Sequence, residues 1–156
     1  MNLTEIQIRA YLERCLEIAT LRPRGIGRPY VGALVLFPEG IVIGEGHKQY
    51  LEGTQLIVHA ERAALHQAEE RAKGSCLFTT LEPCYDDRVY RSHIFSSCSE
   101  LLVERGIDTV VIGLIDEVIS GKGIKYLRDN HLNVLVYEGL KDSIRELLIG
   151  NWKRPC

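Results

Sequence analysis

The chain has 156 residues, 46% hydrophobic and 26% charged, the proportions of one globular domain able to bury a core without disulfide staples. A net charge of −2 gives no global basic field for nucleic acid, and no apolar run approaches the roughly 20 residues of a membrane span. Five cysteines without scaffold spacing, and an N-terminus without a basic region and apolar run, give a cytoplasmic chain with free thiols as the expectation.

Taken in order, 4–21 is predicted helical, with Thr4 and Gln7 as a capping box and Ile6, Ile8, Tyr11, Leu12, Cys15, Leu16 and Ile18 mostly at helical spacing. Glycines and prolines make 21–29 a loop. The apolar stretches 31–37 and 41–44, split by Pro38-Glu39-Gly40, predict a hairpin, and a looser stretch covers 47–55. A helix is expected over 59–72, with Ala60, Ala64 and Ala68 on one face and Gly74 closing it. A strand follows at 77–81, then an irregular polar stretch over 85–97, then a helix over 98–104 with Ser96 and Ser97 as candidate caps. A buried-type strand at 109–113, a helix at 122–129, a strand at 133–137 and a helix at 140–148 complete the chain. Alternation in the second half implies parallel pairing, while the first two strands are close enough to pair antiparallel. The expectation is an α/β fold, a three-layer α/β/α sandwich on a mixed five-stranded sheet, forming a single domain over 1–156.

Three short pieces carry chemistry: His59-Ala60-Glu61 at a helix start, Pro83-Cys84 after a strand, and Cys98 at the next helix start. His59, Cys84 and Cys98 offer one nitrogen and two sulfurs, a set suited to tetrahedral zinc with its fourth position open. His93 is an alternative to Cys98 as third ligand. Zinc bound there lowers the pKa of water from 15.7 toward ~7. Glu61, two residues after His59, is then placed to move protons without being a ligand. The two helix starts would add partial positive charge that favours thiolates. Cys15 and Cys76 read as core, and Cys156 as inert.

These pieces resemble the zinc-deaminase signature H-x-E…P-C-x-x-C, except that Asp87 stands where the second cysteine would fall and Cys98 is the next thiol. The longer spacing resembles the deaminase domain of the riboflavin-biosynthesis deaminase/reductase enzymes, within the cytidine deaminase-like superfamily. Val31-Gly32-Ala33, Gly44-Glu45-Gly46, Thr79-Thr80-Leu81-Glu82-Pro83-Cys84, Asp116, Gly121-Lys122-Gly123 and Asn151-Trp152 carry the likeness. It departs at Arg28-Pro29-Tyr30, where the family has Asn-Pro, and at Tyr85-Asp86-Asp87 and Phe95-Ser96-Ser97 around the cysteine loop.

The resemblance implies a hydrolase acting on a cyclic amidine C–N bond, with His59, Cys84 and Cys98 holding zinc and Glu61 shuttling protons. The implied substrate is a small pyrimidine-like ring, with the riboflavin-pathway aminopyrimidine phosphate nearest and other aminated heterocycles open. His47 is either a loop histidine or a substrate contact. Arg88 and Arg91, with Tyr90, either bind a phosphate or ring or form a solvated loop. A homo-oligomer, dimer or tetramer, is expected, with Leu101-Leu102-Val103 as a candidate interface. Two rival readings are a deaminase acting on a base within RNA or single-stranded DNA, and a non-catalytic zinc scaffold.

Overall fold

A computed structural model of the chain describes residues 2–86 and 96–155. Helix α1 (Glu5–Ala19) opens on the expected capping box. Thr4 Oγ1 accepts from Gln7 N at 3.2 Å, and Gln7 Oε1 accepts from Thr4 N at 2.9 Å. Strands β1 (Gly32–Leu36) and β2 (Val42–His47) form the hairpin. Next come β3 (Gln49–Tyr50), β4 (Ile57–Val58), α2 (Ala60–Ala68), β5 (Cys76–Thr79) and α3 (Cys98–Glu104). The series ends with β6 (Thr109–Ile112), α4 (Lys122–Asp129), β7 (Asn133–Val136) and α5 (Lys141–Leu148).

The main sheet runs β2-β1-β5-β6-β7. β1 pairs antiparallel with β2 and with β5, while β5–β6 and β6–β7 pair parallel. This is the mixed five-stranded sheet expected. Strand side chains alternate between faces, and β1 feeds two cores. Ala33 and Val35 pack with α2, α3 and α4 residues such as Ala64, Leu102 and Leu127. Leu34 and Leu36 pack with α1 and α5 residues such as Leu16 and Ile144. Helices therefore cover both faces in three layers.

Three local expectations change. The helix of 59–72 is α-helical only to Ala68 and continues as a 3-10 turn over Glu69–Ala72, because Glu69 takes a φ of +55° that breaks the α ladder. Within 47–58 a small ribbon forms, β3 against β4, two residues per strand. Leu101 and Leu102 are 5% and 0% exposed within the core, so of the run Leu101-Leu102-Val103 only the partly buried Val103 reaches the surface. Among the described residues no helix is long and apolar enough to cross a membrane.

Candidate metal centre

The site is built where α2 lies against β2. A Cβ on Gly44 would run into the carbonyl oxygen of Ala64, and one on Gly46 into that of Ala60. Only glycine lets the helix backbone settle directly on the strand. His59 caps α2 in an extended conformation (φ −71°, ψ 156°), with its carbonyl accepting from Ala63 N at 3.0 Å. Glu61 follows in the first turn.

The other two donors come from beyond β5 and from the start of α3. Cys84 follows the β5 exit, where Glu82 N donates to Leu114 O at 2.8 Å. Ser97 caps α3 by accepting from Glu100 N at 3.2 Å. That turn carries the Cys98 N–H to Cys84 Sγ at 3.2 Å and the Ser99 N–H to Cys84 O at 3.1 Å. The two cysteines are stitched together by backbone donors.

His59 Nδ1 lies 3.5 Å from Cys84 Sγ and 3.5 Å from Cys98 Sγ. All three donor atoms lie within 4.8 Å of one another. Tetrahedral zinc with Zn–N near 2.05 Å and Zn–S near 2.3 Å places nitrogen and sulfur ~3.6 Å apart. The donor set and its spacing therefore fit the ion. His59 reaches solvent, Cys84 is half-buried and Cys98 is buried, leaving one side of the cluster open.

The electrostatics suit this role. The neighbouring Cys98 thiol, helped by His59, holds the Cys84 pKa down to about 4 against the penalty of burial. Cys98 is pushed up by Cys84 and by burial. The hydrogen bond with Cys84 raises His59. Glu61 is 4% exposed and is raised by burial, an effect opposed by His59. Thr79 Oγ1 donates to Glu61 Oε1 at 3.1 Å, fixing the carboxylate from the end of β5.

A cavity of about 110 Å³ opens on the cluster, lined among others by Val31, Lys48, His59, Glu61, Cys84 and Asp116. Lys48 Nζ is anchored by Gly27 O at 2.8 Å and Arg28 O at 3.0 Å. His47, the expected contact, is not among the lining residues. Its Nδ1 lies 3.0 Å from Lys48 O. Arg88, Tyr90, Arg91, His93 and Cys156 lie outside the described residues. Sequence reasoning gave no role to Thr79, Glu82 or Lys48. Thr79 and Glu82 stand within the quoted cysteine motif, but their partners come from distant segments.

A buried carboxylate beside a His/Cys/Cys cluster at a small open cavity defines a class, the zinc-dependent hydrolytic deaminases. Residues 5–114 match the family described as the cytidine and deoxycytidylate deaminase zinc-binding region, and the chain belongs to that family. It is 35% identical over 141 residues to a diaminohydroxyphosphoribosylamino-pyrimidine deaminase of Buchnera aphidicola, covering 86% of this chain and 87% of that protein. It is 34% identical to the riboflavin biosynthesis protein RibD of Synechocystis, over 84% of this chain but 34% of that one. The solved Thermotoga maritima diaminohydroxyphosphoribosylaminopyrimidine deaminase/reductase superposes with a TM-score of 0.71 at 32% identity, over 92% of this chain and 40% of that one. The chain thus spans about a third of the RibD relatives and most of the deaminase from Buchnera.

Proposed function

We propose that this chain hydrolyses the exocyclic amine of a small aminated pyrimidine, and that a diaminohydroxyphosphoribosylamino-pyrimidine is the first substrate to test. The observation that carries this reading is the juxtaposition of Glu61 with the His59, Cys84 and Cys98 donors at one cavity. The near end-to-end likeness to a deaminase of that ring supports it. In this reading His59, Cys84 and Cys98 hold zinc, which when bound acidifies water.

Glu61 takes one proton of the attacking water and gives it to the ring nitrogen, then takes the remaining proton from the added hydroxyl and delivers it to the leaving amine, so that a ring carbonyl is left. The C–O bond forms, the C–N bond breaks, and ammonia leaves. Thr79 keeps the carboxylate aimed at the cavity. Lys48 and Asp116, on opposite sheet halves, supply a cation and an anion for the acceptor and donor edges of a ring. Residues 1–156 act as one deaminase domain in the cytoplasm, self-associating as a dimer or tetramer. Exposed Val42 and Leu135 on the two outer strands, with Ile41 just before the first of them, offer apolar surface for that.

The test is ammonia release by zinc-loaded protein from this ring, beside cytosine, cytidine, their phosphates, guanine and short single-stranded RNA and DNA. Release from a small ring supports the reading. Release from polymers alone overturns it in favour of a nucleic-acid deaminase.

A further inference from the structure

Glu82 is 2% exposed, and it stands two residues before Cys84. Such a carboxylate beside a metal cluster invites a reading as ligand or proton carrier, yet its oxygens are otherwise engaged. Glu82 Oε1 accepts from Asp116 N at 3.2 Å and Gly121 N at 3.0 Å. Oε2 accepts from Gly123 N at 2.9 Å and Ile124 N at 3.1 Å. All four donors belong to the segment running from the end of β6 into the first turn of α4. The Glu82 main chain joins the same segment through Leu114 O.

This segment brings Asp116 to the wall of the metal cavity. The turn is wound tightly, with Ser120 N donating to Asp116 O at 2.7 Å and Val118 N to Asp116 Oδ1 at 2.8 Å. Around Gly123 there is no slack, since a Cβ there would run into Pro83 O and close on Glu82 Oε2 and Ser99 Oγ. Ser99 Oγ in turn donates to Pro83 O at 3.0 Å.

The structure assigns Glu82 the role of a positioning residue, a clip whose four backbone hydrogen bonds hold Asp116 against the metal cavity and so set how tightly the ring is bound. Residue type matters here. A carboxylate has about four acceptor sites and no donor, one for each converging N–H. Glutamine has half of these and would turn its own amide hydrogens toward two of the donors. The start of α4 adds partial positive charge that favours an anion at this place.

The assay half of the test rests on the deaminase reading, so the wild type is first run on the ring panel, and the ring it turns over becomes the probe. In folded, zinc-loaded Glu82→Gln, KM is expected to rise about tenfold or more with kcat within about threefold and zinc at one per chain. Amide exchange followed by mass spectrometry needs no substrate. It should quicken over 114–124 and stay unchanged over 98–104.

Unchanged exchange over 114–124 overturns the clip even if no panel ring is turned over. Unchanged KM in folded protein overturns the link to ring binding. Loss of zinc with collapse of kcat means that Glu82 serves Cys84 rather than the wall, and also overturns it. Should Glu82→Gln not fold, Gly121→Ala disturbs the clip from its other side. Gly121 has a φ of +87° and open space around its Cβ position, so the variant strains the turn without a clash. The same KM rise is expected there. Lys125→Ala, on the exposed side of α4, should match the wild type.

Discussion

Glu61 has the environment of a proton carrier. Burial, opposed by His59, raises its pKa, so the carboxyl takes up a proton more readily than an exposed one, as a shuttle requires. Replacing Glu61 with Gln keeps the shape and removes the proton transfer proposed for it. kcat is expected to fall by about 10²–10⁴ with zinc still at one per chain, checked by ammonia release beside metal analysis. Thr79→Val deletes the donor to Glu61 and leaves a buried oxygen unpaired. A stability loss of about 1–3 kcal/mol is expected in thermal or denaturant melts, with a smaller fall in kcat than Glu61→Gln gives. The thiols separate in the same way. Burial pushes Cys76 up to about 12 and Cys15 higher still, whereas Cys84 is held near 4. Peptide mapping after iodoacetamide should find Cys84 alkylated only once zinc is chelated, and Cys15 and Cys76 unmodified throughout. The grouping of His59, Cys84 and Cys98 was legible as sequence because His59-Ala60-Glu61 and Pro83-Cys84 are short motifs and Cys98 opens the next helix, although it lies outside the usual C-x-x-C spacing. Thr79 meets Glu61 across 18 positions and Glu82 meets Gly123 across 41, distances at which single-sequence patterns carry no signal.

The elements matter through how closely they approach. The first turn of α2 can present His59 and Glu61 to the cysteines because its backbone rests on Gly44 and Gly46 of β2. Gly46→Ala drives a methyl into the Ala60 carbonyl, beside the capping histidine. Overpacking of this kind costs about 1–3 kcal/mol, and the variant should melt earlier and lose zinc to a chelator sooner than the wild type. Gly27→Ala, whose added Cβ meets nothing within 4 Å, is the matched control and should do neither. Most elements were readable because pattern and caps agree: the Thr4–Gln7 box, the β1–β2 hairpin, and α4 over Lys122–Asp129 all fall where expected. The β3–β4 ribbon was not, since two residues per strand are too few to show alternation. The end of α2 was missed because Glu69, a good helix former, adopts a positive φ that its residue type does not foretell.

At the scale of the molecule, the three donors join the entry to α2, the exit of β5 and the start of α3, so a bound ion cross-links three segments of one face. A ligand that binds only the folded chain stabilises it by RT ln(1 + [L]/Kd), about 2.7 kcal/mol at a hundredfold excess over Kd. Chelation should therefore lower the melting temperature and zinc should restore it, as calorimetry would show. Protons compete for His59 and the thiolates, so zinc should be retained less well as pH falls. The mixed sheet, antiparallel at its start and parallel in its second half, followed from chain order and right-handed crossovers, whereas the antiparallel β1–β5 junction and the cavity wall did not, the wall because Asp116 reaches it only through the turn wound around Glu82. The most direct test of zinc-dependent hydrolysis is turnover of diaminohydroxyphosphoribosylamino-pyrimidine in ¹⁸O-water by zinc-loaded wild type and Glu61→Gln. Wild type should release one ammonia per ring and place one ¹⁸O at the deaminated carbon, while zinc-loaded Glu61→Gln should do so at least a hundredfold more slowly. Wild-type rates in Glu61→Gln, or ammonia released without ¹⁸O in the product, would contradict it.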